Sequence, residues 1–177
     1  MIRFRPLGFI VAAIVLLGDQ AAKYGITDVL DLDALGSVRV ITDFFQLRFV
    51  ANQGVSLGLL QAGSDTTRWA LVGLTGLIAL GVLVWMLREH NRQDQFGLGL
   101  VLGGAIGNIV DRVRLGYVVD FADLHFGEWR PFLVFNVADA AITIGVLVLL
   151  VRALLTRDAP VASDYPVEPD SVENVNA

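Results

Sequence analysis

The chain has 177 residues, no cysteine and a formal net charge of −5; 55% of its residues are hydrophobic and its mean hydropathy is +0.64. That apolar share exceeds the roughly 45–50% of soluble domains and points to a membrane protein. The missing cysteines exclude disulfides, thiolate metal sites and cysteine nucleophiles. The net charge comes entirely from tail acids (Asp158, Asp164, Glu168, Asp170, Glu173), so no basic field is left for nucleic acid.

Four apolar stretches follow one another, at about 7–26, 69–87, 96–113 and 132–155. A transmembrane helix needs about 20 mostly apolar residues, which predicts four spans. Arg3 and Arg5 before a short apolar run also fit a cleaved secretory signal. Three later spans and the polar residues inside them favour a retained helix.

Arg3, Arg5, Arg88, Arg92, Arg152 and Arg157 fall on one side of a four-span topology, which is then the cytoplasmic side. The loops at about 27–68 and 114–131 then face outward. In the first, Asp28 to Leu35 reads as a short helix or turn, and Phe44 to Val50 as a strand. Asn52-Gln53-Gly54 is a turn signal after which Val55 to Leu60 can pair back, giving a small outer sheet. The predicted fold is an all-α membrane protein of four transmembrane helices, with a small β-sheet and short helix on the outer, periplasmic surface. Residues 1–157 form the membrane domain. Residues 158–177, acidic and Pro-containing, read as a disordered cytoplasmic tail.

The costly residues are unevenly placed. Span one is apolar until Asp19, Gln20 and Lys23, and span three until Asn108, Asp111 and Arg112; span four carries Asn136 and Asp139 near its start. Alternating topology puts all of them in the outer leaflet. With a helix starting near Phe132, Asp139 lies about 10 Å inside the span. A carboxylate there costs about 2.5–3.5 kcal/mol, so a functional role is the default reading. Asn136 and Asp139 are i,i+3, and Asn108, Asp111 and Arg112 are i, i+3 and i+4, so each set shares one helix face. Arg112 can pair with Asp111. Asp120 follows span three in a short apolar, β-branched segment.

Other chemistries remain open on the residues alone. Asn and Asp near helix ends can be caps, and Arg near an interface can snorkel. Ser56 with Lys23 suggests a Ser-Lys protease but leaves the acids unexplained. Asp120, Asp123 and His125 suggest a metal site but lack a second outer histidine. A transporter predicts polar groups near the midplane or in both leaflets, and the inner halves of these spans have no ionisable residue.

Gly18-Asp19-Gln20-Ala21-Ala22-Lys23, Asn52-Gln53-Gly54-Val55-Ser56, the run Gly103 to Arg112 continuing to Val119-Asp120-Phe121, and Phe135-Asn136-Val137-Ala138-Asp139 resemble, in order, the motifs of lipoprotein signal peptidase, also called signal peptidase II. The resemblance spans about residues 6–155. Leu57 stands where the family often has an aromatic. The resemblance implies a membrane aspartic endopeptidase that cuts bacterial prolipoproteins before a cysteine carrying a diacylglyceryl group. It implies Asp120 and Asp139 as the catalytic pair, with Asp19, Lys23, Asn52, Gly54, Asn108, Asp111, Arg112 and Asn136 binding substrate or supporting the site. It further implies no cofactor and no metal, and a monomer in the inner membrane among phospholipid, with its site toward the periplasmic leaflet. Two carboxylates brought close suit such chemistry because both cannot ionise cheaply: one keeps a proton while the other takes one from water.

Overall fold

The computed structural model describes residues 6–34, 36–54 and 64–155. Its elements are α1 (Leu7–Tyr24), β1 (Val38–Thr42), β2 (Phe45–Asn52), α2 (Asp65–Arg88), α3 (Arg92–Leu115), β3 (Val118–Leu124) and α4 (Val137–Leu155). All four helices are long and apolar enough to cross a membrane, α1 together with a π-helical continuation at Gly25–Val29. At 1.5 Å per residue the 24-residue α3 spans about 36 Å.

α3 is the central helix. More than half of its apolar window (56%) is buried, against 11% for α2, and it packs on α1, α2 and α4. Its glycines make this possible. A Cβ on Gly104 would stand 2.5 Å from the Ala138 carbonyl oxygen, and one on Gly107 would stand 2.7 Å from Asp19 Oδ2. Bare backbone at these turns lets α1 and α4 approach the polar end of α3. The outer faces of the bundle stay apolar and exposed, as at Leu17, Leu77, Leu80 and Leu154. An apolar surface this extensive suits lipid, not water.

The helix ends are set by ordinary capping. Ser64 Oγ accepts the Thr67 N–H at the start of α2, and Asn91 Oδ1 accepts the Gln93 N–H at the start of α3. α3 stops at Gly116, which takes the left-handed conformation (φ 88°). Arg68 reaches across from α2 to donate to the carbonyls of Arg112 and Val113, at 2.7 and 2.6 Å.

The three strands form one antiparallel sheet in the order β1-β2-β3. β1 pairs with β2 across a tight turn at Asp43-Phe44, and β2 pairs with β3 with Val50 opposite Asp120 and Asn52 opposite Val118. Both connections lie at the bundle end where α1 and α3 finish. The expected strand at Val55 to Leu60 lies outside the described residues. Among those described, the partners of β2 are β1 and β3. Over Asp28 to Leu35 the described chain shows only the end of the π-helical turn, then irregular backbone with Asp31 at φ 56°.

α4 begins later than its apolar run suggests. Phe135 is held by β3: its N–H donates to the Ala122 carbonyl (3.1 Å), and its carbonyl accepts from Ala122 (2.8 Å) and Phe121 (3.1 Å). Residues 132–135 are therefore extended or irregular and the helix starts at Val137. Asp139 is its third residue, about 3 Å along the axis, not about 10 Å. The bridge at Phe135 also sets Asn136 beside Asp120.

Candidate active site

Asp120 sits mid-strand on β3 and is 2% exposed. Side chains two residues apart share a strand face, so Asn52, diagonal to Asp120 across the β2-β3 pair, reaches it. Asn52 Nδ2 donates to Asp120 Oδ2 at 2.8 Å, and Asn136 Nδ2 donates to Asp120 Oδ1 at 2.7 Å. Burial, with Asp139's charge adding to it, outweighs these amides and pushes the Asp120 carboxyl up to about 6.

Asp139 lies in the first turn of α4. Its Oδ1 accepts from Asn108 Nδ2 at 2.8 Å, and its Oδ2 accepts the Asn136 N–H at 3.3 Å. Asn136 Oδ1 accepts the Asp139 N–H at 2.9 Å, which closes a reciprocal cap. The reading of these residues as caps and the reading of them as a site thus meet in the same atoms.

A second layer supports the first. Lys23, 4% exposed, bonds Asp19 Oδ2 at 2.7 Å and Asp111 Oδ2 at 2.8 Å, and donates to Asn108 Oδ1 at 3.2 Å. Asp19 caps α4 by accepting the Ala138 N–H at 2.9 Å. Asp111 accepts the Val119 N–H at 3.1 Å and so ties α3 to β3. The i,i+4 spacing of Asp19 and Lys23 on α1 puts both toward α3. The expected Arg112–Asp111 pair is not what forms: Lys23 takes Asp111. Arg112 Nη1 instead donates to the Asn108 carbonyl at 3.4 Å, and its buried Nε has no hydrogen-bond partner among the described residues. Gly54, at φ 84°, leaves room there, since a Cβ would stand 3.3 Å from Arg112 Nη2.

The structure thus brings Asp19, Lys23, Asn52, Asn108, Asp111, Asp120, Asn136 and Asp139 into one connected network, with Arg112 and Gly54 at its edge. Sequence reading left out Gln20, which donates to Asp111 Oδ1 at 2.9 Å; its place beside Asp19 in the first motif was the available signal. Ser56 lies outside the described residues. Among the described residues no three His, Cys, Asp or Glu side chains converge as metal ligands. Asp123, of the weighed Asp120–Asp123–His125 trio, turns to Gln46 (2.6 Å), Arg48 and Arg130. Burial pushes its carboxyl up, but Gln46, Arg130 and Arg48 outweigh that and hold it below the usual value.

Beside Asp139 runs an open apolar groove of about 310 Å³, walled by Phe132, Leu133, Phe135, Ala140, Thr143 and Ile144. Asp139 is the one ionisable residue of its lining.

The model of the family described as Signal peptidase (SPase) II matches residues 11–155. The lipoprotein signal peptidase of Rhizorhabdus wittichii is 61% identical over 160 residues, 90% of this chain and 92% of that one. That of Sphingopyxis alaskensis is 55% identical over 148 residues, covering 84% and 85%. A bacterial membrane enzyme solved by the in meso method at 2.3 Å resolution matches with TM-score 0.74 and 28% identity, over 93% of this chain and 96% of that one. With its four membrane helices, its outer sheet and its buried polar network, the chain belongs to the signal peptidase II family.

Proposed function

We propose that the protein is an aspartic endopeptidase that removes signal peptides from diacylglyceryl-modified prolipoproteins, cutting before the lipidated cysteine. The observation that carries this is the pair of carboxyl groups, Asp120 from a strand and Asp139 from a helix, joined by the single side chain of Asn136. In the reaction the ionised carboxylate takes a proton from water as the water oxygen attacks the scissile carbonyl carbon. The protonated carboxyl gives its proton to the carbonyl oxygen. The tetrahedral diol then collapses: the C–N bond breaks, the leaving nitrogen takes the first proton, and the second returns from a hydroxyl to the dyad. The dyad ends as it began, with no covalent intermediate.

Arg112, whose Nε has no partner among the described residues and whose Nη2 lies near Gly54, holds a substrate carbonyl in this reading. The groove beside Asp139 suits an acyl chain arriving sideways from lipid. Asp19, Lys23 and Asp111 support the site from behind. A Ser-Lys mechanism is disfavoured because Lys23 Nζ is taken up by Asp19, Asp111 and Asn108.

In this reading the catalytic domain is 1–157, the termini are cytoplasmic, the dyad faces the periplasmic leaflet of the inner membrane, and the chain works as a monomer among phospholipids. A tag after Ala177 is then cytoplasmic and one within 60–66 is outside. The decisive experiment is cleavage of a lipid-modified prolipopeptide by purified protein, read by mass. Asp120→Asn and Asp139→Asn are each expected to be nearly inactive yet folded, with Ser56→Ala and His125→Ala active. A near wild-type rate in either Asp variant overturns the aspartic mechanism.

A further inference from the structure

The two carboxyl groups have different surroundings, and the difference assigns them different tasks. Asp139 sits in the first turn of α4, where the helix dipole favours negative charge. One of its oxygens accepts a backbone N–H, from Asn136. The other accepts from Asn108, whose amide orientation is forced. A lysine ammonium can only donate, so Asn108 must turn its oxygen to Lys23 and its NH₂ to Asp139. An amide polarised by an ammonium on its oxygen is a stronger donor on its nitrogen. Arg112 adds a positive charge close by, its Nη1 donating to the Asn108 carbonyl at 3.4 Å.

Asp120 lacks the helix end and the ammonium-polarised amide. It lies mid-strand, away from any helix end, and its hydrogen-bond donors, Asn52 and Asn136, are both neutral amides. It is nearly fully buried, and burial is the largest influence on it. The charged groups around the pair are Asp19 and Lys23 from α1, and Asp111 and Arg112 from α3. Lys23's charge is also felt at Asp120 through space, while the amide of Asn108 is its hydrogen-bonded route to Asp139.

We propose that the dyad is polarised before substrate arrives: Asp139 holds the negative charge and takes the proton of the attacking water, Asp120 holds the proton and gives it to the scissile carbonyl oxygen, and Lys23, acting through Asn108, is the positioning residue that sets this polarity. The assignment rests on the aspartic reading above. In the forward step a water proton moves to Asp139 Oδ as the O–C bond forms, and the Asp120 proton moves to the carbonyl oxygen. On collapse Asp139 returns its proton to the leaving nitrogen as the C–N bond breaks, and Asp120 recovers one from the diol.

The test is the pH dependence of kcat/KM for the purified full-length protein in detergent, acting on a synthetic diacylglyceryl-cysteine peptide. The acidic limb reports the base, which must be ionised, and the alkaline limb reports the acid, which must be protonated. Asn52 donates to Asp120 and not to Asp139, so Asn52→Leu is expected to move the alkaline limb up by about one pH unit and leave the acidic limb in place. Asn108→Leu removes the donor on Asp139 and is expected to move the acidic limb up by about one unit, leaving the alkaline limb. Lys23→Met is expected to move the acidic limb up as Asn108→Leu does and the alkaline limb up by less, because the Lys23 charge also acts on Asp120. The crossed result, with Asn52→Leu moving the acidic limb, makes Asp120 the base and overturns the assignment. So do limbs that move together in both variants, or that stay fixed in Asn108→Leu. Limb positions do not depend on the amount of folded enzyme, and Asn52→Ser and Asn108→Ser replace any leucine variant that accumulates poorly. Activity in Asp120→Asn or Asp139→Asn refutes the aspartic reading itself, an outcome separate from any limb shift.

Discussion

Asn136 and Asp139 hold each other by their own backbones: the Asp139 N–H donates to Asn136 Oδ1 at 2.9 Å, and the Asn136 N–H donates to Asp139 Oδ2 at 3.3 Å. The remaining end of the same asparagine amide donates to Asp120 at 2.7 Å. One side chain therefore both starts α4 and spaces the dyad.

The two tasks of Asn136 can be separated. Asn136→Ala is expected to cost about 1 kcal/mol of stability through the lost cap, and at least a hundredfold in kcat/KM. Asn136→Ser restores a capping oxygen but has no NH₂ for Asp120. Thermal unfolding should then recover while the rate does not. Equal recovery of both would mean that Asn136 is only a cap.

Lys23 answers two buried acids. Lys23→Met leaves Asp19 and Asp111 without their cation and is expected to destabilise the protein by about 3 kcal/mol or more. Adding Asp111→Asn should recover part of that loss, because the two residues share one interaction. Unfolding followed by tryptophan fluorescence in detergent measures both.

The helix glycines differ in what they touch. Gly104→Ala places a methyl about where the Ala138 carbonyl now lies, so α4 must move, and activity is expected to fall at least tenfold. Gly18→Ala, with nothing within 4 Å of the new methyl, should be neutral or slightly stabilising. Loss of activity in Gly18→Ala alone would contradict this packing.

Asp120 also gives stability a pH dependence. Its carboxyl ionises at about 6 in the folded protein and at the ordinary 3.8 when unfolded, so between these values the folded state binds more protons. That contribution is complete below about pH 3.8 and is lost as pH rises through about 6. Asp120→Asn should flatten this window, as read by chemical denaturation between pH 4 and 7. An unchanged slope would show that Asp120 is not held neutral by its burial.

The groove can be narrowed at Thr143, one turn beyond Asp139; Thr143 Oγ1 bonds only the Asp139 backbone carbonyl, at 2.9 Å. Thr143→Phe is expected to raise KM for a lipidated peptide about tenfold while kcat stays within about threefold. A peptide with shorter acyl chains should feel the change less. A drop in kcat with KM unchanged would place the acyl chain elsewhere.

Much of this was legible in the residues. The four spans follow from apolar runs, and the one-sided cluster follows from where Asp19, Asn108, Asp111, Asn136 and Asp139 interrupt them. The illegible parts depend on long-range pairing. β1 is exposed at every position and carries no alternation, so nothing marks Val38–Thr42 as the edge of a sheet. β3 reads as an apolar segment, but its pairing with β2 joins residues about seventy positions apart. Adjacency in sequence suggested Arg112 as the partner of Asp111, but neighbours at i,i+1 do not face each other on a helix, and the partner, Lys23, came from α1. The start of α4 was misplaced because apolar content does not reveal that Phe135 is already bonded to β3.

The bond from Asp19 to the Ala138 N–H ties the first span to the first turn of the last, 119 positions away. A ribosome delivers these two ends at opposite times. While α1, α2 and α3 are already in the bilayer, Lys23 has both of its acids, but Asp19 has no helix to cap and Asn108 has no carboxylate to hold. A chain that ends after Asp120 but before Asp139 carries only one of the two carboxyl groups. In the aspartic reading proposed above, hydrolytic activity is therefore acquired late in synthesis, once the first turn of α4 has joined the bundle.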